Sequence, residues 1–210
     1  MIDSLGGEGT DRIEGLSDGL FAIVLTLLVL QFEVPEVSAG ELPGALAEQE
    51  TLLFSYLLSY LVVGIYWIVH HNLFRNIVDH DRTLLWLNLL FLLSVSFLPY
   101  PTEIMGLYGT QFAWTLYAIN VVLVGTFLTL VWSYAARSGF TADDVDERTA
   151  QLVTIRGLIA PAVFVLSIGV AVVELWLAFF VPILIVPLQW LWVQYYRTDR
   201  SDRATNSNGD

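Results

Sequence analysis

Six long apolar runs dominate the chain: approximately Leu16 to Phe32, Leu52 to Val69, Leu84 to Pro101, Phe112 to Tyr134, Leu152 to Val173 and Leu175 to Tyr196. Nothing else constrains the fold as strongly. A helix rises about 1.5 Å per residue, so about 20 apolar residues cross a hydrocarbon core roughly 30 Å thick. The runs therefore predict an all-α integral membrane protein with six transmembrane helices. Barrel strands would alternate polar and apolar residues, and these runs do not. Only Glu174 separates the last two. Together they span about 45 residues, too many for one crossing, so a tight helical hairpin is expected there and a five-crossing topology is the competitor. The first run reads as a crossing rather than a cleaved leader, because Asp3, Glu8, Asp11 and Glu14 outweigh Arg12 around its start.

Orientation follows from the basic residues, which resist translocation. All nine are arginine, and there is no lysine. Arg12 precedes the first run, Arg75 and Arg82 lie between the second and third, and Arg137, Arg148 and Arg156 fall between the fourth and fifth or at the start of the fifth. Arg197, Arg200 and Arg203 follow the sixth. With six crossings all nine share one face, while the other face carries Glu33, Glu36, Glu41, Glu48, Glu50, Glu103 and Glu174. The expectation is a multi-pass protein of the cell membrane with both termini cytoplasmic. Residues 1–15 would be a cytoplasmic segment, 16–196 the six-helix membrane domain and 197–210 a disordered cytoplasmic tail.

A net charge of −12 makes nucleic acid an unsuitable partner. The absence of cysteine excludes disulfides and thiolate metal sites. No soluble domain of useful size remains outside the runs, and no internal repeat is visible, so any larger symmetry has to come from separate subunits.

Polar groups inside a spanning helix cost a few kcal/mol each and so face partners or water. They cluster in three places: Arg12, Glu14, Ser17 and Asp18 at the opening of the first run; His70, His71 and Asn72 at the end of the second; and Asn88, Asn120 and Arg156 within later runs. Asp18 and the two histidines lie at similar depth. A carboxylate accepting from imidazole or from Arg12 would be far cheaper there than an isolated anion. A structural clasp between helices is the simpler reading of these residues, and a titrating sensor the other. Adjacent histidines point about 100° apart on a helix, so His70 and His71 do not form a metal pair. The acidic run Asp143, Asp144, Asp146 and Glu147 lacks the glycine and spacing of a calcium loop. No nucleophile, base and oxyanion arrangement can be assembled, which argues against an enzyme. Below the polar opening, Ile23, Leu27 and Leu30 make one apolar stripe, as any membrane helix would.

Arg12-x-x-x-Leu16-Ser17-Asp18-Gly19 resembles the first-helix signature of the transmembrane protein 175 family of potassium channels, Arg-x-x-x-Phe-Ser-Asp-Gly. Tyr66-Trp67-x-x-His70-His71-x-x-Phe74, the stretch Leu84 to Leu93 and Phe97-Leu98-Pro99-x-Pro101-Thr102 are similar to the family's second- and third-helix text. The resemblance covers three helices closely and the rest in hydropathy and order. It implies a homotetramer of single six-helix units, embedded in membrane lipid, with the first helix lining a central pore and potassium as the permeant ion; no cofactor is implied. It also implies that Ile23, Leu27 and Leu30 form the constriction, with Thr26 as a helper, and that Arg12, Ser17, Asp18, His70, His71 and Asn88 form a polar signature and interhelix clasp. Leu16 stands where the family has Phe, and Ala22 where some relatives carry Ser. The expected function is a potassium-preferring leak channel whose apolar throat is both gate and barrier. Two other classes stay open: a proton-leaking or proton-coupled transporter using Asp18 and the histidines, and an interaction scaffold.

Overall fold

A computed structural model describes residues 9–194. The expected tail 197–210 and the first eight residues lie outside the described residues. Within them the chain is all helical: α1 Gly9–Val29, α2 Leu42–Ala47, α3 Glu50–Phe74, α4 Arg82–Phe97, α5 Pro99–Tyr108, α6 Gln111–Arg137, α7 Glu147–Gly157, α8 Ile159–Val173 and α9 Leu175–Ala178, followed by a 3-10 turn Val181–Leu184 and a helix over 185–194.

Five helical stretches are long and apolar enough to cross a membrane: Glu50–Phe74, Arg82–Tyr108, Gln111–Arg137, Glu147–Val173 and Leu175–Gln194. They match the last five apolar runs. The first run became α1, which has 21 residues but carries Arg12, Glu14 and Asp18 in its first half. Its helix starts seven residues before the expected Leu16. Ile13 explains this: it is only 7% exposed and sits in a small core with Phe74, Ile77, Leu84, Val131 and Trp132, so the polar opening is pinned as helix rather than left as a tail.

Two of the long spans are broken where proline dictates. The third run divides at Leu98, immediately before Pro99, into α4 and α5. The fifth divides at Leu158 into α7 and α8, three residues before Pro161, which has no N–H to offer the preceding turn. At Glu174 the backbone turns extended, and its carboxylate accepts from Trp176 N at 3.4 Å, capping the next helix. Gln189 then reaches back to Arg156, hydrogen bonding to its guanidinium Nε, so the last segment returns alongside α7 as the expected hairpin does.

α6 is the centre of the bundle. In its most apolar window 56% of residues are buried, against 6% for 175–194. It packs against α4, α5, α7 and α8, while α1 packs on α3, α4 and α5. Two helix crossings, α5 on α3 and α6 against α3 and α8, leave room for nothing larger than glycine. A Cβ on Gly106 of α5 would lie 2.9 Å from Leu52 Cα and 2.7 Å from Ser55 Oγ on α3. One on Gly125 of α6 would lie 2.6 Å from the Tyr66 hydroxyl and 2.7 Å from Pro161. Small residues at helix crossings are how membrane helices gain contact when apolarity alone gives no preference for protein over lipid.

The end of the bundle that carries Arg75, Arg82 and Arg137 is laced by its loops. Val78 N donates to Phe140 O at 2.8 Å and Ala142 N to Asn76 O at 3.0 Å. Asp81 caps α4 by accepting from Leu84 N at 2.8 Å, and accepts from the Tyr134 hydroxyl at 2.6 Å. The Tyr134 hydrogen bond, and then the backbone N–H, hold the Asp81 carboxyl below the ordinary carboxylate range. The acidic loop run has a structural use as well: Asp146 caps α7 by accepting from Thr149 N at 2.8 Å.

Candidate functional site

α1 has two sides. Ile13, Ser17, Phe21, Val24 and Leu28 recur every three or four residues and are buried against the other helices. Leu16, Ile23, Leu27 and Leu30 lie outside that row, on the outward part of the helix, and are 56%, 59%, 42% and 72% exposed. Leu30 sits one residue past the last helical turn. Thr26 is on this side too, with its hydroxyl donating to Ile23 O at 2.7 Å, so the hydroxyl proton is committed to the helix's own backbone.

The packed side carries a polar chain. Ser17 Oγ donates to Ile13 O at 2.8 Å and accepts from Asn88 Nδ2 at 3.3 Å. Asn88 Oδ1 in turn meets His70 Nε2 at 3.2 Å. All three residues are buried, so the chain ties α1 to α4 and α3 through one amide. Stacked aromatics enclose it: His70 lies over Phe91 with ring centroids 5.3 Å apart and planes 6° apart, and over Phe74 at 4.3 Å. Phe21 of α1 closes the cluster, 6.0 Å from both His70 and Phe91. Three of the six residues expected in the clasp are therefore together.

Asp18 is placed otherwise. The expected carboxylate–imidazole hydrogen bond is not formed; Asp18 Oδ1 accepts from Trp67 Nε1 at 2.8 Å. One residue along a helix turns about 100°, so Asp18 leaves the buried side that Ser17 occupies and meets α3 at its exposed margin. His71 is on that margin as well, stacked on Trp67 with centroids 6.1 Å apart. Arg12 is exposed and outside both groups. Trp67 is thus the residue that sequence reasoning passed over. The available signal was chemical: an indole N–H is a donor only, and an interfacial Trp seeks an acceptor. Gln31 was also missed. Its Nε2 donates to Pro99 O at 2.8 Å and pins the far end of α1 to the break between α4 and α5.

A family model described as the endosomal/lysosomal potassium channel TMEM175 matches residues 12–99, the stretch that contains both of these groups. A potassium channel of Streptomyces collinus is 34% identical over 170 residues, covering 78% of this chain and 82% of that one. This chain belongs to the TMEM175 family. A crystal structure of a lysosomal potassium-selective channel TMEM175 homolog from Chamaesiphon minutus superposes with a TM-score of 0.75 at 26% identity, covering 87% of this chain and 96% of that one. The endosomal/lysosomal proton channel TMEM175 of Gallus gallus is 32% identical over 134 residues, which are 60% of this chain and 27% of that much longer one. The protein is accordingly a TMEM175-type cation channel and not an enzyme, built on the all-helical fold of that family.

Proposed function

We propose that this TMEM175 chain forms a potassium-permeable, potassium-preferring leak channel in the cell membrane, with four copies around one axis, α1 as the sixth crossing and both termini cytoplasmic. Ile23, Leu27 and Leu30 of each copy make the throat, with Thr26 beside them. The observation that carries this reading is the two-sidedness of α1. One face is spent on its own protomer, and the other leaves Ile23, Leu27 and Leu30 exposed among the described residues. A narrow ring of such side chains expels water, so an ion passes only by shedding hydration or when the ring widens. Potassium holds its water less tightly than sodium, which gives the ring a moderate preference. The resemblance to channels described as potassium channels and potassium-selective supports the same ion.

The experiment is a bi-ionic reversal-potential measurement on the reconstituted protein and its Ile23→Asn variant. Adding an amide to the throat lowers the dewetting barrier. Conductance should rise or potassium preference fall, by about ten-fold if roughly 1.4 kcal/mol of barrier is removed. Unchanged current and reversal potential would remove Ile23 from the conducting path.

The vertebrate relative described as a proton channel favours a second reading, a proton leak that uses Asp18 and the α3 histidines. Proton flux measured against potassium flux in the same liposomes separates the two, since a proton leak alone would leave current insensitive to the potassium gradient.

A further inference from the structure

A cavity of about 580 Å³ runs between α3, α6, α7, α8 and the 185–194 helix, away from the α1 face. Its volume is that of a small-molecule site, for which roughly 300–1,000 Å³ is usual. The wall is graded along its length. Val62, Ile65, Val69, Leu128, Ala160 and Phe164 make an apolar shaft. Asn72, Asn76, Thr149, Arg156 and Gln189 gather toward the other end. Arg156 is the only formally charged residue among the described lining residues, and no carboxylate balances it there.

The gradient coincides with a change in the helices. Arg156 stands in the last turn of α7, a polar helix that includes Glu147, Arg148, Thr149, Gln151 and Thr154. α8 begins two residues later and is apolar except for Ser167. On α3 the same change falls between Val69 and Asn72. The cation therefore sits where polar helix gives way to apolar helix, beside a shaft running along the apolar stretch. The shaft is open to the outside of the protomer, because Ile65 and Val186 on its walls are 58% and 72% exposed. Arg156 Nε donates to Gln189 Oε1 and Gln189 Nε2 reaches Arg156 O at 3.5 Å, which fixes the guanidinium plane. A held fork with further donors is well suited to phosphate oxygens.

We propose that this cavity binds an anionic phospholipid, with one acyl chain in the shaft and the phosphate on Arg156, assisted by the Asn72 amide. Charge complementarity selects the headgroup: a chain of net charge −12 has here an arginine with no carboxylate among the described lining residues. The shaft selects a lipid over a soluble anion, since a free phosphate would leave the apolar walls unused. The site does not depend on how α1 is used.

Phosphatidylglycerol is the probe, with phosphatidylcholine and glycerol 1-phosphate as comparisons, and retention on the purified full-length protein is read by native mass spectrometry. Phosphatidylglycerol should be retained over phosphatidylcholine, and Arg156→Gln should reduce that preference about ten-fold while Arg156→Lys restores part of it. Val186→Trp, at an exposed rim position that tolerates bulk, should lower retention of phosphatidylglycerol by narrowing the shaft, and it carries the test if Arg156→Gln loses its native size-exclusion profile. Equal retention of phosphatidylglycerol by Arg156→Gln or Val186→Trp overturns the proposal. So does displacement by glycerol 1-phosphate at the concentrations at which the lipid itself competes.

Discussion

The helix crossings inside the protomer set small and polar residues among large apolar ones, whereas the outward side of α1 carries large apolar residues that nothing polar ties down. At the crossings the buried side chains include Ser17, Ser55, Ser59, Asn88, Ser94, Thr102, Asn120, Thr129 and Ser167, with Gly106 where α5 meets the α3 backbone. The outward face of α1 includes Leu16, Ile23, Leu27 and Leu30. In water this would be inside out. In a bilayer it is the expected economy, because lipid solvates leucine as well as protein does, and only close backbone approach or a satisfied hydrogen bond makes one helix prefer another. Ser59 Oγ and Thr102 Oγ1, 2.8 Å apart between α3 and α5, are such a pair. Large apolar residues therefore occur both inside the protomer and on its outside, and it is the small and polar residues among them that mark where one helix is fixed to another.

The sharpest way to break that contrast is at Gly106. A methyl there meets Leu52 Cα at 2.9 Å, a backbone atom that cannot turn aside, so α3 and α5 have to separate. Gly106→Ala should destabilise the protomer by up to about 3 kcal/mol, the upper end of the roughly 1–3 kcal/mol usual for core overpacking. Thermal unfolding in detergent reads this, and stability equal to wild type would show that the crossing is softer than the geometry says.

A smaller loss is expected at Asn88. Asn88→Leu keeps the volume but leaves His70 Nε2 without its acceptor and Ser17 Oγ without its donor. Interhelical hydrogen bonds in membranes contribute about 0.6 and at most about 1.7 kcal/mol, and two are lost, so about 1–2 kcal/mol is expected. Ser17→Ala, which removes one of the two, should cost about half as much. If both variants unfold like wild type, the aromatic cluster around His70 holds α1 without the amide.

How much of this was legible in the sequence follows from the same contrast. Apolar length fixed the number and order of the runs, since crossing a bilayer demands it. It was silent on the breaks at Leu98 and Leu158, because a proline-split helix stays as apolar as a straight one, and on the short α2, which buries nothing. The polar residues inside the runs stood out by their cost, and Ser17, His70 and Asn88 did converge. Their pairing was not readable. Asn120 Nδ2 instead donates to Ser94 O at 3.0 Å, and Arg156 turns to Gln189, because rotation of each helix decides which polar group meets which. The Ile23, Leu27 and Leu30 stripe was one of several equivalent rows on paper. Packing of Ile13, Ser17, Phe21, Val24 and Leu28 against α3, α4 and α5 removes that row and leaves Ile23, Leu27 and Leu30 among the exposed ones.

The smallest effect on folding is expected at Gly19, and it is the most informative about what surrounds α1. Gly19 is exposed in the stretch between Leu16 and Ile23, and a Cβ built on it meets nothing within 4 Å. Within one protomer, Gly19→Ala therefore costs nothing in contacts and gains about 0.5–1 kcal/mol because alanine loses less freedom in a helix. Unfolding of the variant under detergent conditions that keep the chain monomeric should be unchanged or slightly shifted upward. If four α1 helices approach one axis, however, four added methyl groups enter a crowded conduit, and unitary conductance or subunit assembly should fall although the protomer is as stable as before. A less stable monomer would assign Gly19 to the protomer's own crossings. Unchanged conductance and assembly would leave this face against lipid, where a methyl group is indifferent.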